Sequence, residues 1–93
     1  MNFRIVYSKD ADKFIEKNPK IKYGIVSEIR KIIQKHNGAT VSVNIKNLEG
    51  RWKGFSRLRK GKVRIIFRLD LENGYIFIDD IDYLIDESYY RSR

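Results

Sequence analysis

Basic side chains are concentrated in one part of this 93-residue chain, between Lys46 and Arg68. That segment holds nine lysine or arginine residues and a single acid, Glu49. Guanidinium groups present planar donor forks that match phosphate oxygens, so a polyanion, most commonly a nucleic acid, is the expected partner. The alternative is a solvated sheet face that is basic for solubility. Trp52 and Phe55 lie among the basic residues and favour nucleic acid, because aromatic rings stack on bases.

The alternation of side chains in this segment predicts two strands joined by a turn at Lys60-Gly61-Lys62. Successive strand side chains point to opposite faces of a sheet. The residues predicted to face the core are Leu58, Ile65, Phe67 and Leu69. The residues predicted to share the other face are Arg57, Arg59, Arg64 and Arg68. That face is expected to be strongly positive.

The rest of the chain supplies the elements that must position these strands. Residues 3–7 read as a first strand, Ser8 as the cap of a helix that ends at Asn18, and residues 20–36 as a longer helix with a stripe of isoleucines. Residues 39–47 fit either a short edge strand or an extended loop. A turn at residues 72–74 leads into a last strand, for which Asn73 and Gly74 favour a tight hairpin.

This order predicts an α+β fold, β-α-α-β-β-β, with two N-terminal helices packed on one face of a small, mainly antiparallel sheet. The C-terminal tail either forms a short C-terminal helix or has no regular structure. Gly24 would allow close approach if it faced the first helix. His36 is expected to be a residue of the last helical turn, favourable to the helix dipole, rather than a catalytic base.

Length and composition limit the kinds of protein this chain can be. With 93 residues it is expected to form one domain, residues 1–93. There is no cysteine and one histidine, so neither a disulfide scaffold nor a metal site is expected, and no cofactor is predicted. No segment resembles a signal peptide or a membrane span, so a cytoplasmic protein is expected. Any catalysis must use Arg, Lys, Tyr, Asp or Glu.

The element order, together with the segment from Leu48 to Phe67, resembles the RelE/ParE superfamily of toxins from type II toxin–antitoxin modules. The most specific residues are Leu48 and Gly50, followed by Leu58-Arg59 and then Arg64 to Phe67. The resemblance spans nearly the whole chain. In that superfamily the RelE branch cuts messenger RNA in the ribosomal decoding site, and the ParE branch poisons DNA gyrase.

The resemblance implies catalytic roles for Arg57 and Arg64, which take basic positions of the second and third family strands. It also implies a catalytic tyrosine near the C-terminus, for which the candidates are Tyr83, Tyr89 and Tyr90. The other basic residues predicted to bind RNA are Lys46, Arg51, Lys53, Arg59, Lys60 and Arg68. Two departures weaken this assignment: Phe55 occupies a basic position of the family, and Asp82 and Asp86 make the end of the last strand acidic.

Two functional hypotheses follow from the resemblance. The first is a metal-independent, ribosome-dependent mRNA endonuclease, held in a heteromeric complex with a cognate antitoxin. The second is a binding protein of the same fold, either a toxin directed at gyrase or a catalytically weak module that binds its antitoxin. Arg57 and Arg64 favour the first hypothesis, whereas Phe55 and the acidic strand end favour the second.

Overall fold

The computed structural model describes residues 2–83, and the tail with Tyr89, Tyr90 and the predicted C-terminal helix lies outside these residues. The described residues form five strands and two α-helices, with one 3₁₀ turn before the second helix and another before the third strand. Their bounds are β1 Arg4–Tyr7, α1 Lys9–Lys17, α2 Lys22–His36, β2 Asn44–Asn47, β3 Ser56–Lys60, β4 Val63–Asp70 and β5 Tyr75–Tyr83.

The first helix begins and ends where the sequence predicts. The Ser8 hydroxyl accepts a hydrogen bond from the Ala11 amide at 3.1 Å, which satisfies one of the free amides of the first turn. At the other end the Asn18 amide donates to Phe14 O and Ile15 O, and Pro19 prevents continuation. After one 3₁₀ turn the chain enters α2, which His36 ends.

The five strands form one sheet in the order β1-β5-β4-β3-β2. Strand β1 runs parallel to β5, and every other neighbouring pair is antiparallel. Helices α1 and α2 lie in the connection between β1 and β2, the two edge strands, and pack on one face of the sheet. The predicted fold class is therefore confirmed. None of the helices in residues 2–83 has the length and apolar content needed to span a membrane.

The core lies between this face and the two helices. The buried side chains that form it are Ala11, Ile15, Ile25, Ile29, Ile32, Leu58, Ile65, Phe67, Ile76, Ile78 and Ile81. Each fully buried isoleucine or leucine contributes about 1.5–3 kcal/mol of transfer free energy. The isoleucine stripe of α2 therefore fixes which face of the sheet the helices cover.

Three local expectations are settled or corrected. Of the undecided residues 39–47, Asn44–Asn47 form an edge strand paired with β3. The last hairpin has a four-residue loop rather than a tight turn, because Asp70 accepts from the Asn73 amide at 3.1 Å and only Gly74 there has a positive φ. Gly24 faces Lys60, whose Cε would lie 3.8 Å from an added Cβ, and not the first helix.

Candidate functional site

The face of the sheet opposite the helices, called the open face below, carries side chains from all five strands. Strand pairing arranges most of them in three rows across the sheet. The arginine row contains Asn44, Arg59, Arg64 and Asp82; the middle row contains Lys46, Arg57, Ile66 and Asp80; the aromatic row contains Phe55, Arg68, Phe77 and Val6. As the alternation predicts, Arg57, Arg59, Arg64 and Arg68 share this face.

Arg64 and Asp82 form a bidentate ion pair at one end of the arginine row. Arg64 Nε and Nη2 donate to Asp82 Oδ1 and Oδ2 at 3.1 and 2.7 Å. The two side chains are 30% and 36% exposed. A pair this exposed contributes only about 0–1 kcal/mol, so a phosphate can replace the carboxylate as the partner of the guanidinium. The pair also makes this end of the face less positive than the arginines alone indicate.

Arg57 in the middle row is held more loosely than Arg64. Its Nη2 donates to Asn44 Oδ1 over 3.5 Å, which is long for a hydrogen bond. Its Nε is buried and has no hydrogen-bond partner among the described residues. The neighbouring Arg59 is exposed. Arg57 and Arg59 can therefore reorient toward an anion while losing few existing bonds.

Asp80 is the titratable acid of the middle row and pairs with Ile66 across the sheet. Burial, followed by the negative charge of Asp82, raises the pKa of its carboxyl above the usual value for aspartate. The charge of Arg64 acts in the opposite direction but does not dominate. The open face thus holds a carboxyl with a raised pKa beside guanidinium groups that can bind phosphate.

The aromatic row lines a small pocket that extends from Phe55 to the β1 edge of the sheet. The pocket encloses 180 Å³, and its lining includes Val6, Phe55, Arg68, Phe77 and Asp79. The guanidinium carbon of Arg68 lies 4.5 Å from the centroid of the Phe77 ring, a cation–π contact. This pocket was not predicted from the sequence.

Other predicted site residues are divided between the two sides of the sheet. Lys46 lies on the open face, and Arg51 and Lys53 are exposed in and after the turn before β3. Lys60 is turned toward the helices, where its Nζ binds Oε1 of the buried Glu28 at 3.3 Å. The structure therefore does not bring Lys60 together with the arginines.

Tyr83 also lies on the helix side of the sheet. Its hydroxyl donates to Asn18 Oδ1 at 3.0 Å, and its ring centroid is 5.1 Å from that of Phe14. The structure therefore separates Tyr83 from Arg57 and Arg64. Tyr89 and Tyr90 lie outside the described residues. Within residues 2–83 no cluster of three or more His, Asp or Glu side chains is arranged to hold a metal ion.

A β-bulge explains both the position of Tyr83 and the presence of two carboxylates on the open face. Phe67 pairs with Ile78, but the preceding Ile66 pairs with Asp80, so Asp79 is an extra residue in β5. Beyond the bulge the alternation is reversed. Asp80 and Asp82 consequently face the arginines, and Tyr83 faces the helices. The adjacent pair Asp79-Asp80 in an otherwise alternating strand is the sequence signal that could have indicated the bulge.

Comparison with known proteins identifies the fold. Neither a known sequence family nor a curated protein sequence matches this chain. Among solved structures, a chain of the toxin–antitoxin complex RelBE2 from Mycobacterium tuberculosis superposes with a TM-score of 0.67 at 19% identity, covering 89% of this chain and 99% of that one. A chain of the archaeal RelE–RelB complex from Pyrococcus horikoshii gives 0.63 at 24% identity, covering 89% and 96%.

A third similar structure is the YoeB dimer from Staphylococcus aureus, with a TM-score of 0.63 at 18% identity and coverage of 91% and 100%. At these identities the likeness concerns the fold. The resemblance inferred from the segment Leu48 to Phe67 is thus confirmed at that level: residues 2–83 adopt the fold of the RelE-like toxins.

Proposed function

We propose that this chain is the toxin of a type II toxin–antitoxin module and that it cuts messenger RNA on the ribosome without a metal ion. The observation that carries this proposal is the placement of Arg57, Arg59 and Arg64 side by side on the sheet face opposite the helices of a RelE-like fold. Guanidinium groups at strand spacing can bind consecutive phosphates of a single-stranded RNA. The fold shared with chains of toxin–antitoxin complexes supports the toxin assignment.

The reaction requires three tasks: activation of a 2′-hydroxyl, stabilisation of a pentavalent phosphorane, and protonation of the 5′-oxygen that leaves. Arg57 and Arg64 are proposed for the second task, with Arg64 exchanging Asp82 for the scissile phosphate. Tyr89 and Tyr90 remain the proposed proton-transfer residues. For Tyr83 such a role would require a rearrangement, since its hydroxyl binds Asn18 on the helix side.

The same proposal includes a cognate antitoxin as the partner. Two of the similar structures are complexes, RelBE2 and RelE–RelB, in which the partner is named with the toxin. The formal net charge of +8 suits an acidic partner, because such a partner gains electrostatic attraction on approach. We therefore infer that the chain works in a heteromeric complex that holds it inactive.

The test is induction of the protein in cells, followed by primer extension on a defined transcript. Cuts at fixed positions within codons are expected for the parent. Arg57→Ala and Arg64→Ala are each expected to reduce cleavage at least ~100-fold, the scale of losing one electrostatic stabiliser of a transition state. The matched control is Arg30→Ala, which removes an exposed arginine from the opposite side of the protein. Cleavage by both variants at the parental rate would reject the assignment.

A second candidate function is supported by two observations on the same face. Phe55 stands at a position that is basic in the RelE-like toxins, and the guanidinium of Arg64 already donates two hydrogen bonds to Asp82. Both features fit a gyrase-directed toxin or a binding module with little nuclease activity. Intact transcripts with broken chromosomes after induction would favour the gyrase target. Intact transcripts and intact chromosomes, with a tight antitoxin complex, would favour the binding module.

A further inference from the structure

We propose that the pocket lined by the aromatic row binds an unpaired nucleobase of single-stranded RNA, and that its Asp79 favours bases carrying an amino group. The inference rests on the proposed function, since it adds a base subsite to the surface proposed to bind the RNA backbone. The proposed cleavage chemistry gives no role to Phe55, Phe77 or Asp79, whereas the base subsite uses all three.

The side chains around the pocket come from four separate chain segments that strand pairing brings together. Arg68 pairs with Phe77, and Phe77 pairs with Val6 on the parallel edge strand. Phe55 precedes Ser56, whose partner is Phe67, so its side chain falls beside Arg68. The pocket is thus built mainly on paired strands, with Phe55 supplied by the segment that leads into β3.

Its apolar surface is suited to stacking. Phe55 and Phe77 are half-buried and Val6 is 38% exposed, so apolar surface stays open to solvent on this face. The Arg68 guanidinium already lies over the Phe77 ring and can stack on a base in the same way. Trp52 meets Phe55 edge to face, with ring centroids 5.4 Å apart, and extends the aromatic surface at 40% exposure.

The acidic residue Asp79 is among the residues that line the pocket. Asp79 is the extra residue of the β5 bulge, and its backbone carbonyl accepts a hydrogen bond of 2.5 Å from the Ser8 hydroxyl, which fixes its position. A carboxylate accepts from the amino groups of guanine, adenine and cytosine, whereas uracil has no amino group and offers only its N3–H, which lies between two carbonyl oxygens that repel the carboxylate. Guanine is favoured most, because its N1–H and amino group present two adjacent donors to two oxygens.

The pocket is continuous with the surface proposed to bind phosphate. Arg68 is four residues from Arg64 on the same strand, and Phe55 is two residues before Arg57. Two residues of a strand span about 7 Å, so Phe55 in the pocket and Arg57 outside it are separated by roughly the length of one nucleotide. One RNA strand can therefore place a phosphate on Arg57 and a neighbouring base in the pocket.

The test measures binding of fluorescein-labelled RNA hexamers, one with six uridines and one with a single internal guanosine, by fluorescence anisotropy at fixed salt. The parent is expected to bind the guanosine hexamer ~10-fold more tightly, the scale of one added base contact. Phe55→Leu and Phe77→Leu keep apolar volume but remove the rings, and each should weaken binding of the guanosine hexamer ~10-fold. Asp79→Asn should remove most of the preference for guanosine.

Two further readouts localise the effect. Trp52 is the only tryptophan, so its fluorescence should change on binding of the guanosine hexamer and change less in Phe55→Leu. The matched control is Tyr23→Leu, which removes an aromatic ring that is 86% exposed on α2, and it should bind like the parent. Melting temperatures close to that of the parent establish that the variants are folded.

The outcomes separate the pocket from the proposed function. Equal affinities of the parent for the two hexamers, or variants that retain the guanosine preference, overturn the pocket even if cleavage and growth arrest persist. A guanosine preference that depends on Phe77 and Asp79 supports the pocket even if the parent cuts no transcript. Equally tight, Phe77-dependent binding of the DNA version of the hexamer would reassign the pocket to DNA. Loss of antitoxin binding in the Phe77 variant without loss of RNA binding would reassign it to the protein partner.

Discussion

At the scale of single residues, Arg64 and Asp82 hold each other through two hydrogen bonds at one end of the open face. In the protein without RNA the carboxylate takes the place that a phosphate is proposed to occupy. Binding RNA at Arg64 therefore requires breaking this pair. Asp82 weakens RNA binding in two ways, by competing for the guanidinium and by repelling the phosphate.

Replacing this carboxylate is expected to strengthen RNA binding. Asp82→Asn should increase the affinity for a single-stranded RNA several-fold. The slope of the logarithm of affinity against the logarithm of salt concentration should become more negative by ~0.7, the value for one additional phosphate contact. The measurement is anisotropy across a salt series. The control is Glu16→Gln on α1, which makes the same change in net charge on an exposed residue of a helix. If both variants gain equally, net charge and not the ion pair is responsible.

Asp80 predicts a dependence of stability on pH. Its pKa is raised by burial and then by Asp82, so the native state holds the proton more tightly than the unfolded chain does. Stability from this group is therefore present at acidic pH and is lost as pH rises through the raised pKa. At neutral pH the charged carboxylate is unfavourable in the folded protein.

Asp80→Asn should accordingly stabilise the protein at pH 7. Because the carboxyl is half-exposed, solvent screening limits the gain to ~0.5 kcal/mol, or ~2–4 °C in melting temperature. The gain should disappear below about pH 4, where the carboxyl is protonated in both states. Thermal unfolding at pH 7 and below pH 4 tests this. Asp10→Asn is the control of opposite sign, since it removes a charge that favours the start of α1.

At the scale of elements, Gly24 in α2 and Gly61 in the β3–β4 turn both lie next to Lys60 but have different backbone requirements. Gly61 begins the two-residue turn between β3 and β4 with a φ of 58°, which a side chain strains. Gly24 is in the interior of α2, where a Cβ would lie 3.8 Å from Lys60 Cε, an ordinary contact distance. One position needs glycine, and the other tolerates alanine.

Alanine at these two positions should therefore have opposite effects. Gly61→Ala should destabilise the protein by about 1–2 kcal/mol through backbone strain. Gly24→Ala should stabilise it by up to ~1 kcal/mol through helix propensity. Denaturant unfolding of both variants measures the two changes. Destabilisation by Gly24→Ala would contradict the ordinary contact distance between an added Cβ and the Lys60 side chain.

At the scale of the whole molecule, the charge is uneven and its distribution suits two kinds of partner. The basic open face is proposed to meet RNA, and the net charge of +8 favours association with an acidic antitoxin. Both associations are expected to weaken with salt, because screening acts on each. Antitoxin binding is expected to cover the outer surface of the helices or to displace the C-terminal tail.

The partner can be tested by co-expressing the product of the adjacent open reading frame. Growth arrest should be relieved, and the purified complex should melt well above the free protein. A partner at 100 times its Kd adds about 2.7 kcal/mol to stability, which in a domain of this size is on the order of 10 °C or more. An acidic antitoxin of an unrelated module is the control. If both proteins relieve growth arrest and raise the melting temperature equally, the association is non-specific charge attraction.

The sequence alone determined those parts of the site that depend on local periodicity. Alternation within each of two runs, residues 55–59 and 63–69, placed four arginines on one face of β3 and β4, and the strand pairing agrees. The caps at Ser8 and Asn18 and the isoleucine stripe of α2 are local as well, and the helices follow them. Local propensity and spacing act within a few residues, so they can be recognised without knowledge of the fold.

Only the tertiary structure decided the features that depend on pairing between distant segments. The β5 bulge is defined by the register with β4, and it turns Asp80 and Asp82 toward the arginines and Tyr83 toward α1. The side of the sheet taken by Lys60 depends on a buried Glu28 that is 32 positions away. A one-residue shift in register moves every later side chain to the opposite face, and the local pattern of one strand does not show which residues of the partner strand it pairs with.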